Sequence, residues 1–116
     1  MEGNRTQLEE QMYRLHAEIC HTLANPKRLR IISILREKEV SAADLLDVLD
    51  VPKANLSQHM KVLQDKGIVF ARREGNAVYY RLARPKILNA FDLMRDLLFE
   101  VLEDQQKLLK EYSKKK

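Results

Sequence analysis

The segment that decides the fold is residues 41–65, SAADLLDVLDVPKANLSQHMKVLQD. Apolar residues recur in it every three or four positions, which is the spacing of amphipathic helices, and Asp50-Val51-Pro52 interrupts that spacing. Ser41 followed by Asp44 resembles a capping box and opens the first of two short helices. Two helices joined by a tight break predict a helix-turn-helix over residues 41–66.

The hydrophobic period changes from about 3.6 to 2 after Gly67, which is expected to end the second helix as a left-handed cap. Residues 69–73, VFARR, and 77–82, AVYYRL, are rich in aromatic and β-branched residues, with a short turn at Glu74-Gly75-Asn76. A β-hairpin directly after a helix-turn-helix is the order of a winged helix. Residues 69–82 therefore predict a two-stranded wing.

Amphipathic helices are predicted at both ends of the chain, over residues 7–24 and 86–112. Between them and the helix-turn-helix, Asn25-Pro26 predicts a cap and the first turn of one more helix. The fold class is thus mainly α: a single winged helix-turn-helix domain over residues 1–116, with five helices and a two-stranded wing. The apolar rows of the terminal helices exceed what one small domain covers and predict a dimer interface. Its candidate residues are Leu8, Met12, Leu15, Ile19, Ile87, Phe91, Met94, Leu98, Val101 and Leu108.

Composition narrows the function class. A chain of 116 residues fits one domain, and its single cysteine excludes an intramolecular disulfide framework and an all-cysteine zinc site. No run of 18 apolar residues occurs, and the charged N-terminus lacks the apolar stretch of a signal peptide, so a cytoplasmic protein that does not enter the membrane is expected. Residues 51–86 carry eight Lys/Arg against two Asp/Glu, a local basic excess that suits a polyanion.

The second helix of the helix-turn-helix and the wing supply the candidate DNA contacts. If Leu56, Met60 and Leu63 face inward, polar groups suited to base edges and phosphates face outward. The predicted DNA-binding residues are Lys53, Ala54, Asn55, Ser57, Gln58, His59, Lys61, Arg72, Arg73, Asn76 and Arg81. A solvated polar face with no partner remains the alternative at this point.

Three stretches carry a family resemblance: residues 23–32, LANPKRLRII, 56–63, LSQHMKVL, and 72–82, RREGNAVYYRL. Together, and in this order and spacing, they resemble the ArsR/SmtB family of winged-helix transcriptional repressors. The resemblance implies a homodimer held by its first and last helices. It also implies binding to a palindromic operator in double-stranded DNA, repression of transcription, and release of the DNA when an effector binds.

The effector sites known in that family are not matched here. Residues 41–47 contain no cysteine pair, and the last helix contains no histidine. No cofactor is therefore predicted, with one candidate kept open. His16 and Cys20 share a helix face and His21 adjoins them, so two copies across a dimer axis would offer a mixed nitrogen and thiolate site for a metal or haem, or an oxidisable thiol. The alternative is that Cys20 is a small buried apolar residue and His16 a surface residue.

These observations predict a homodimeric DNA-binding transcriptional regulator, a repressor of an inverted-repeat operator that an unknown effector releases. The alternative is a winged-helix module that binds protein partners and no DNA, because a fold does not fix a function. An enzyme is not predicted, since no paired carboxylates, nucleophile triad or glycine-rich loop is apparent.

Overall fold

The structure is a computed structural model that describes residues 2–114. The chain forms two compact units, divided in the sequence between Arg84 and Pro85. Within the single domain predicted over residues 1–116, the first unit contains the winged helix-turn-helix, and the second unit is the last helix. The elements in chain order are α1 (Glu2–Leu23), α2 (Pro26–Ile34), β1 (Val40–Ser41), α3 (Ala42–Leu49), α4 (Lys53–Asp65), β2 (Val69–Glu74), β3 (Ala77–Leu82) and α5 (Ile87–Lys114).

Side-chain caps start two of the helices where the sequence predicts them. Asn25 Oδ1 accepts hydrogen bonds from the backbone N–H groups of Lys27, at 2.9 Å, and Arg28, at 3.2 Å, which an isolated helix end would leave without partners. Ser41 Oγ accepts from Asp44 N at 3.1 Å and fixes the first turn of α3 in the same way.

Two left-handed residues end the helices of the helix-turn-helix. Asp50, with φ +52°, stops α3, and aspartate tolerates this conformation better than most residues. Gly67, with φ +70°, follows α4. Gly67 N donates to Gln64 O and Ile68 N donates to Leu63 O, both at 2.9 Å, which is the Schellman pattern. The predicted cap at Gly67 is confirmed.

The predicted two-stranded wing is present as β2 and β3, and a third antiparallel strand that the sequence analysis did not predict, β1, extends the sheet in the order β1-β3-β2. β1 has only two residues, and Val40 pairs with Tyr80 while Ser41 pairs with Tyr79. A strand of two residues is too short to show an alternation of apolar and polar residues in the sequence. Its pairing with β3 is therefore visible only in the folded chain. The hairpin itself is as predicted, with Gly75 at φ +61° and Asn76 forming its two-residue turn.

The hydrophobic core lies in the winged unit and takes residues from every element between α2 and β3. Its members are Ile31, Ile32, Leu35, Val40, Leu45, Leu49, Leu56, Met60, Leu63, Ile68, Val69 and Leu82. α4 contributes Leu56, Met60 and Leu63, the three residues predicted to face inward. Burial of each of these side chains stabilises the fold by about 1.5–3 kcal/mol. It therefore fixes which face of α4 remains exposed to solvent.

Both terminal helices are longer than predicted. α1 begins at Glu2, not at residue 7, because residues 2–7 lack an apolar period that would predict a helix and also lack a proline that would prevent one. α5 runs from Ile87 to Lys114, 28 residues or about 42 Å, and none of its side chains is buried.

Candidate nucleic-acid interface

One face of α4 is polar and open to solvent. The predicted contact residues on this α4 polar face, all exposed, are Lys53, Ala54, Asn55, Ser57, Gln58 and Lys61. They occupy the positions of α4 that the buried row of Leu56, Met60 and Leu63 leaves open to solvent, so the core sets which side chains are exposed. A helix that presents lysine, glutamine and serine in this way carries the donors and acceptors that read base edges in a major groove.

His59 is placed differently from the rest of the predicted set. Its side chain is half-buried, and Nδ1 accepts a hydrogen bond from Arg28 Nε of α2 at 3.3 Å. Burial, followed by the positive charges of Arg28 and Lys27, lowers the pKa of His59 below its ordinary value. His59 therefore faces α2 and does not belong to the α4 polar face.

Arg72 of the wing holds two carboxylates. Its Nη2 lies 2.7 Å from Glu39 Oε1, and its Nη1 lies 2.8 Å from Glu74 Oε2. The guanidinium carbon is 4.6 Å from the ring centroid of Tyr79, the residue paired with Arg72 across the hairpin. The hydrogen bond from Arg72, helped by the charges of Arg72 and Arg81, lowers the pKa of Glu39. Arg72 thus ties β2 to the residue before β1 across the width of the sheet.

The other predicted wing residues are exposed. Arg81 stacks over Phe70, its cross-strand partner, with 4.9 Å between the guanidinium carbon and the ring centroid. Arg73 follows Arg72 on β2, and Asn76 lies in the turn at the tip of the hairpin. Successive residues of a strand point to opposite faces, so Arg72 and Arg73 lie on different sides of the wing. Of these two arginines, Arg72 is the one that forms the ion pairs with Glu39 and Glu74.

Sequence reasoning missed two residues that organise this surface, Arg28 and Glu39. Arg28 had a signal in the sequence: two cations, Lys27 and Arg28, occupy the first turn of α2, where the helix dipole disfavours positive charge. Such cations need partners, and the folded chain supplies them. Glu39 had no comparable signal, because Arg72 is 33 residues away in the chain.

Most of the residues predicted to form the dimer interface are apolar side chains exposed to solvent on the two terminal helices. On α1, Leu8, Met12 and Leu15 are exposed, with 66% of Met12 accessible, while Ile19 is half-buried. On α5, Ile87 and Phe91 are half-buried. The remaining predicted residues of α5, all exposed, are Met94, Leu98, Val101 and Leu108.

The candidate effector residues His16, Cys20 and His21 are all exposed on α1. The alternative in which Cys20 is a buried apolar residue is therefore wrong for the single chain. Within residues 2–114 of one chain, no three His, Cys, Asp or Glu side chains come together as a metal site. A site shared by two copies stays a prediction.

Comparison with known proteins identifies the family. A helix-turn-helix domain family matches residues 23–69. Rv0081, an HTH-type transcriptional regulator of Mycobacterium tuberculosis, is 40% identical over 103 residues, which cover 88% of this chain and 90% of Rv0081. The transcriptional repressor SmtB of the same species is 42% identical over 66 residues, 57% of this chain and 49% of SmtB. This chain belongs to the ArsR/SmtB family of transcriptional regulators.

Solved structures of related proteins have the same fold as this ArsR/SmtB protein. The crystal structure of Rv0081 aligns with a TM-score of 0.74 and 41% identity, covering 81% of this chain and 95% of that one. Mb0332 of Mycobacterium bovis, solved as a homodimeric winged helix-turn-helix DNA-binding domain, aligns with a TM-score of 0.73 and 28% identity, covering 83% and 89%. The relatives named here are transcriptional regulators, and none is named as an enzyme. Across residues 2–114, no helix of this ArsR/SmtB protein has the length and apolar content that a bilayer-spanning segment needs.

Proposed function

We propose that this ArsR/SmtB protein is a cytoplasmic homodimer that binds an inverted-repeat operator in double-stranded DNA and represses transcription until an effector releases it. The observation that carries the proposal is the α4 polar face, which the buried row of Leu56, Met60 and Leu63 turns toward solvent. Lysines at positions 53 and 61 supply charge for phosphates, and Gln58 supplies a paired donor and acceptor for an adenine edge.

Dimerisation is supported by the apolar surface of the terminal helices. α5 exposes large apolar side chains along its length and buries none of its residues within the described chain. Apolar surface on this scale marks a protein interface, because exposed patches of this kind are rare on monomers. The homodimeric Mb0332 domain of Mycobacterium bovis supports the same assembly.

A two-fold dimer sets the geometry of the operator. Its two α4 helices would enter successive major grooves about 34 Å apart, so the half-sites of the operator would be centred one helical turn from each other. Each wing would lie beside its own half-site, with Arg73 and Asn76 available for the DNA backbone.

The proposed effector site lies on α1. His16, Cys20 and His21 stay the candidate residues, in a site that two copies of α1 would build together. Native mass spectrometry of the protein purified from its own cells tests this, because a bound metal, haem or organic ligand adds its own mass. Detection of a ligand that His16→Ala and Cys20→Ser both leave in place would remove these residues from consideration.

Fluorescence anisotropy against duplex DNA selected for binding tests the function itself. The parent protein should bind, with log K falling linearly as log salt rises. The double variant Lys53→Ala/Gln58→Ala should lose most of this binding and keep its dimer, whereas Lys107→Ala, a matched change on exposed α5, should bind like the parent. If the parent binds no DNA at low salt, the winged fold serves as a protein-interaction module instead.

A further inference from the structure

Arg28 of α2 bridges two other helices. Its Nη1 donates to the carbonyl oxygen of Thr22, in the last turn of α1, at 2.9 Å. Its Nε donates to Nδ1 of His59, in the middle of α4, at 3.3 Å. One guanidinium therefore connects the end of α1 with the helix that carries the proposed DNA contacts.

The neighbouring Lys27 makes a parallel connection. Its Nζ lies 3.4 Å from the carbonyl oxygen of Leu49, the last residue of α3. The carbonyls of Thr22 and Leu49 lie at helix C-termini, where backbone oxygens lack helical partners and the dipole favours cations. The first turn of α2 thus holds α1, α3 and α4 through two cations that its own dipole disfavours.

The bond to His59 requires a neutral imidazole. Nδ1 accepts from Arg28, so it carries no proton, and the imidazole proton sits on Nε2. The charged groups that act on this imidazole, Arg28 and Lys27, are both cations of α2. Protonation of His59 would remove the acceptor and set two positive groups against each other at hydrogen-bond distance.

The position of His59 connects this bond to the α4 polar face. His59 directly follows Ser57 and Gln58 in α4, and it precedes Met60 of the core. A rotation or shift of α4 that relieves the Arg28 contact would carry Ser57 and Gln58 with it. Base contacts depend on hydrogen-bond geometry within a few tenths of an ångström, so such a shift weakens sequence-specific binding.

We propose that Arg28 and His59 are positioning residues that hold α4 in its DNA-binding orientation, and that protonation of His59 releases α4 and weakens DNA binding. This inference rests on the proposed function. The expected direction of the change in DNA affinity with pH distinguishes this role of His59 from a direct DNA contact. A histidine that gains charge beside DNA strengthens binding in acid, because it adds a cation near phosphates. Here the added charge repels Arg28 instead, so binding falls as the pH falls.

Binding of the operator by fluorescence anisotropy at pH 7.5 and pH 5.5, at one ionic strength, tests the inference. The parent should bind more weakly at pH 5.5 than at pH 7.5, by up to about tenfold, because the lowered pKa of free His59 limits its protonation at pH 5.5. His59→Asn is the rescue variant, because Asn Oδ1 accepts from Arg28 and does not titrate. It should bind like the parent at pH 7.5 and keep that affinity at pH 5.5. Arg28→Met should bind about tenfold more weakly at pH 7.5 and change little with pH.

Lys107→Ala is the control, since it removes an exposed charge of α5 and leaves all three histidines in place. It should retain the acid loss of the parent. The inference is overturned if the parent binds as tightly at pH 5.5 as at pH 7.5, or if His59→Asn shows the same acid loss as the parent. Arg28→Met is used only if its circular dichroism spectrum matches that of the parent, and His59→Asn decides the question without it.

Nitrogen NMR of the imidazole provides a readout without DNA. In the free parent, His59 should titrate below 6.5 with its neutral proton on Nε2, and Arg28→Met should raise its midpoint. If the parent binds no DNA although this titration is as expected, the proposed function fails while the Arg28 contact stands. If the parent binds DNA and His59 carries its neutral proton on Nδ1, the inference alone fails.

Discussion

Arg72 and Glu39 form an ion pair across the three-stranded sheet, with 2.7 Å between Nη2 and Oε1. The same guanidinium contacts Glu74 and the ring of Tyr79. Two carboxylates therefore balance the charge of Arg72 before any DNA is present. Its neighbour Arg73 lies on the other side of the strand. Arg72 and Arg73 thus differ: Arg72 fixes the wing to the body of the winged unit, and we expect Arg73, which is exposed on the other face, to be the one of the two that contacts DNA phosphates.

The salt dependence of DNA binding separates these tasks. Arg73→Gln should lower the magnitude of the slope of log K against log salt by about 2, because the dimer loses one phosphate contact and its released counterion in each subunit. Arg72→Gln should leave this slope at the parent value, because its charge is already balanced by Glu39 and Glu74. Fluorescence anisotropy at four or more salt concentrations measures both slopes. A drop of about 2 for Arg72→Gln would show that Arg72 in both subunits contacts phosphate and leaves its carboxylates on binding.

The acid stability of the protein should depend on Glu39. Arg72 lowers the pKa of Glu39 below its ordinary value of 4.5. The stability that the pair contributes is therefore present above about pH 4.5 and is lost as the pH falls through the lower folded value. Urea unfolding between pH 7 and pH 3 should show a larger loss in the parent than in Glu39→Gln. Glu37→Gln removes another exposed carboxylate and should behave like the parent. Equal acid losses in the parent and Glu39→Gln would contradict the prediction.

Gly67 should resist substitution because its backbone has φ +70°. Gly67→Ala should lower the free energy of unfolding by about 1–2 kcal/mol, since a Cβ disfavours the left-handed conformation and no crowding adds to this cost. Gly3→Ala is the matched control, because Gly3 lies in α1 without a positive φ and a Cβ there meets nothing within 4 Å. Gly3→Ala should not destabilise the protein. Urea denaturation followed by circular dichroism measures both, and an unchanged midpoint for Gly67→Ala would disprove the left-handed requirement.

The oligomeric state should depend on the exposed apolar residues of the terminal helices. Leu98→Glu on α5 and Met12→Glu on α1 should each shift the dimer toward monomer, because each places a charge on a face whose apolar groups are exposed in the single chain. Val48→Glu, a matched change at an exposed valine of α3, should leave the dimer intact. Sedimentation velocity at several protein concentrations measures the outcome. A parent that is monomeric at all of them would remove the dimer from the proposed function.

Local signals in the sequence account for most of the elements. The caps at Asn25 and Ser41, the stop at Gly67 and the inward row of α4 are confirmed, because each depends on residues within one turn of helix. The family resemblance is confirmed by relatives that share these segments. The boundaries of the helices are less well predicted, as at the start of α1, where residues without an apolar period extend the helix before the amphipathic pattern begins.

The sequence by itself determined the five helices, the hairpin and the polar face of α4, because hydrophobic periodicity and helix caps act between residues close in the chain. Tertiary structure alone decided the pairing of β1 with β3, the ion pair of Arg72 with Glu39, and the contact of Arg28 with His59. These three contacts join residues about 30 to 40 positions apart, and no local pattern specifies which distant partner a charged or polar group will find. The folded chain therefore assigned Arg28, Glu39 and Arg72 to holding the proposed DNA-binding surface in place, while the sequence had marked only Arg72, as a DNA contact.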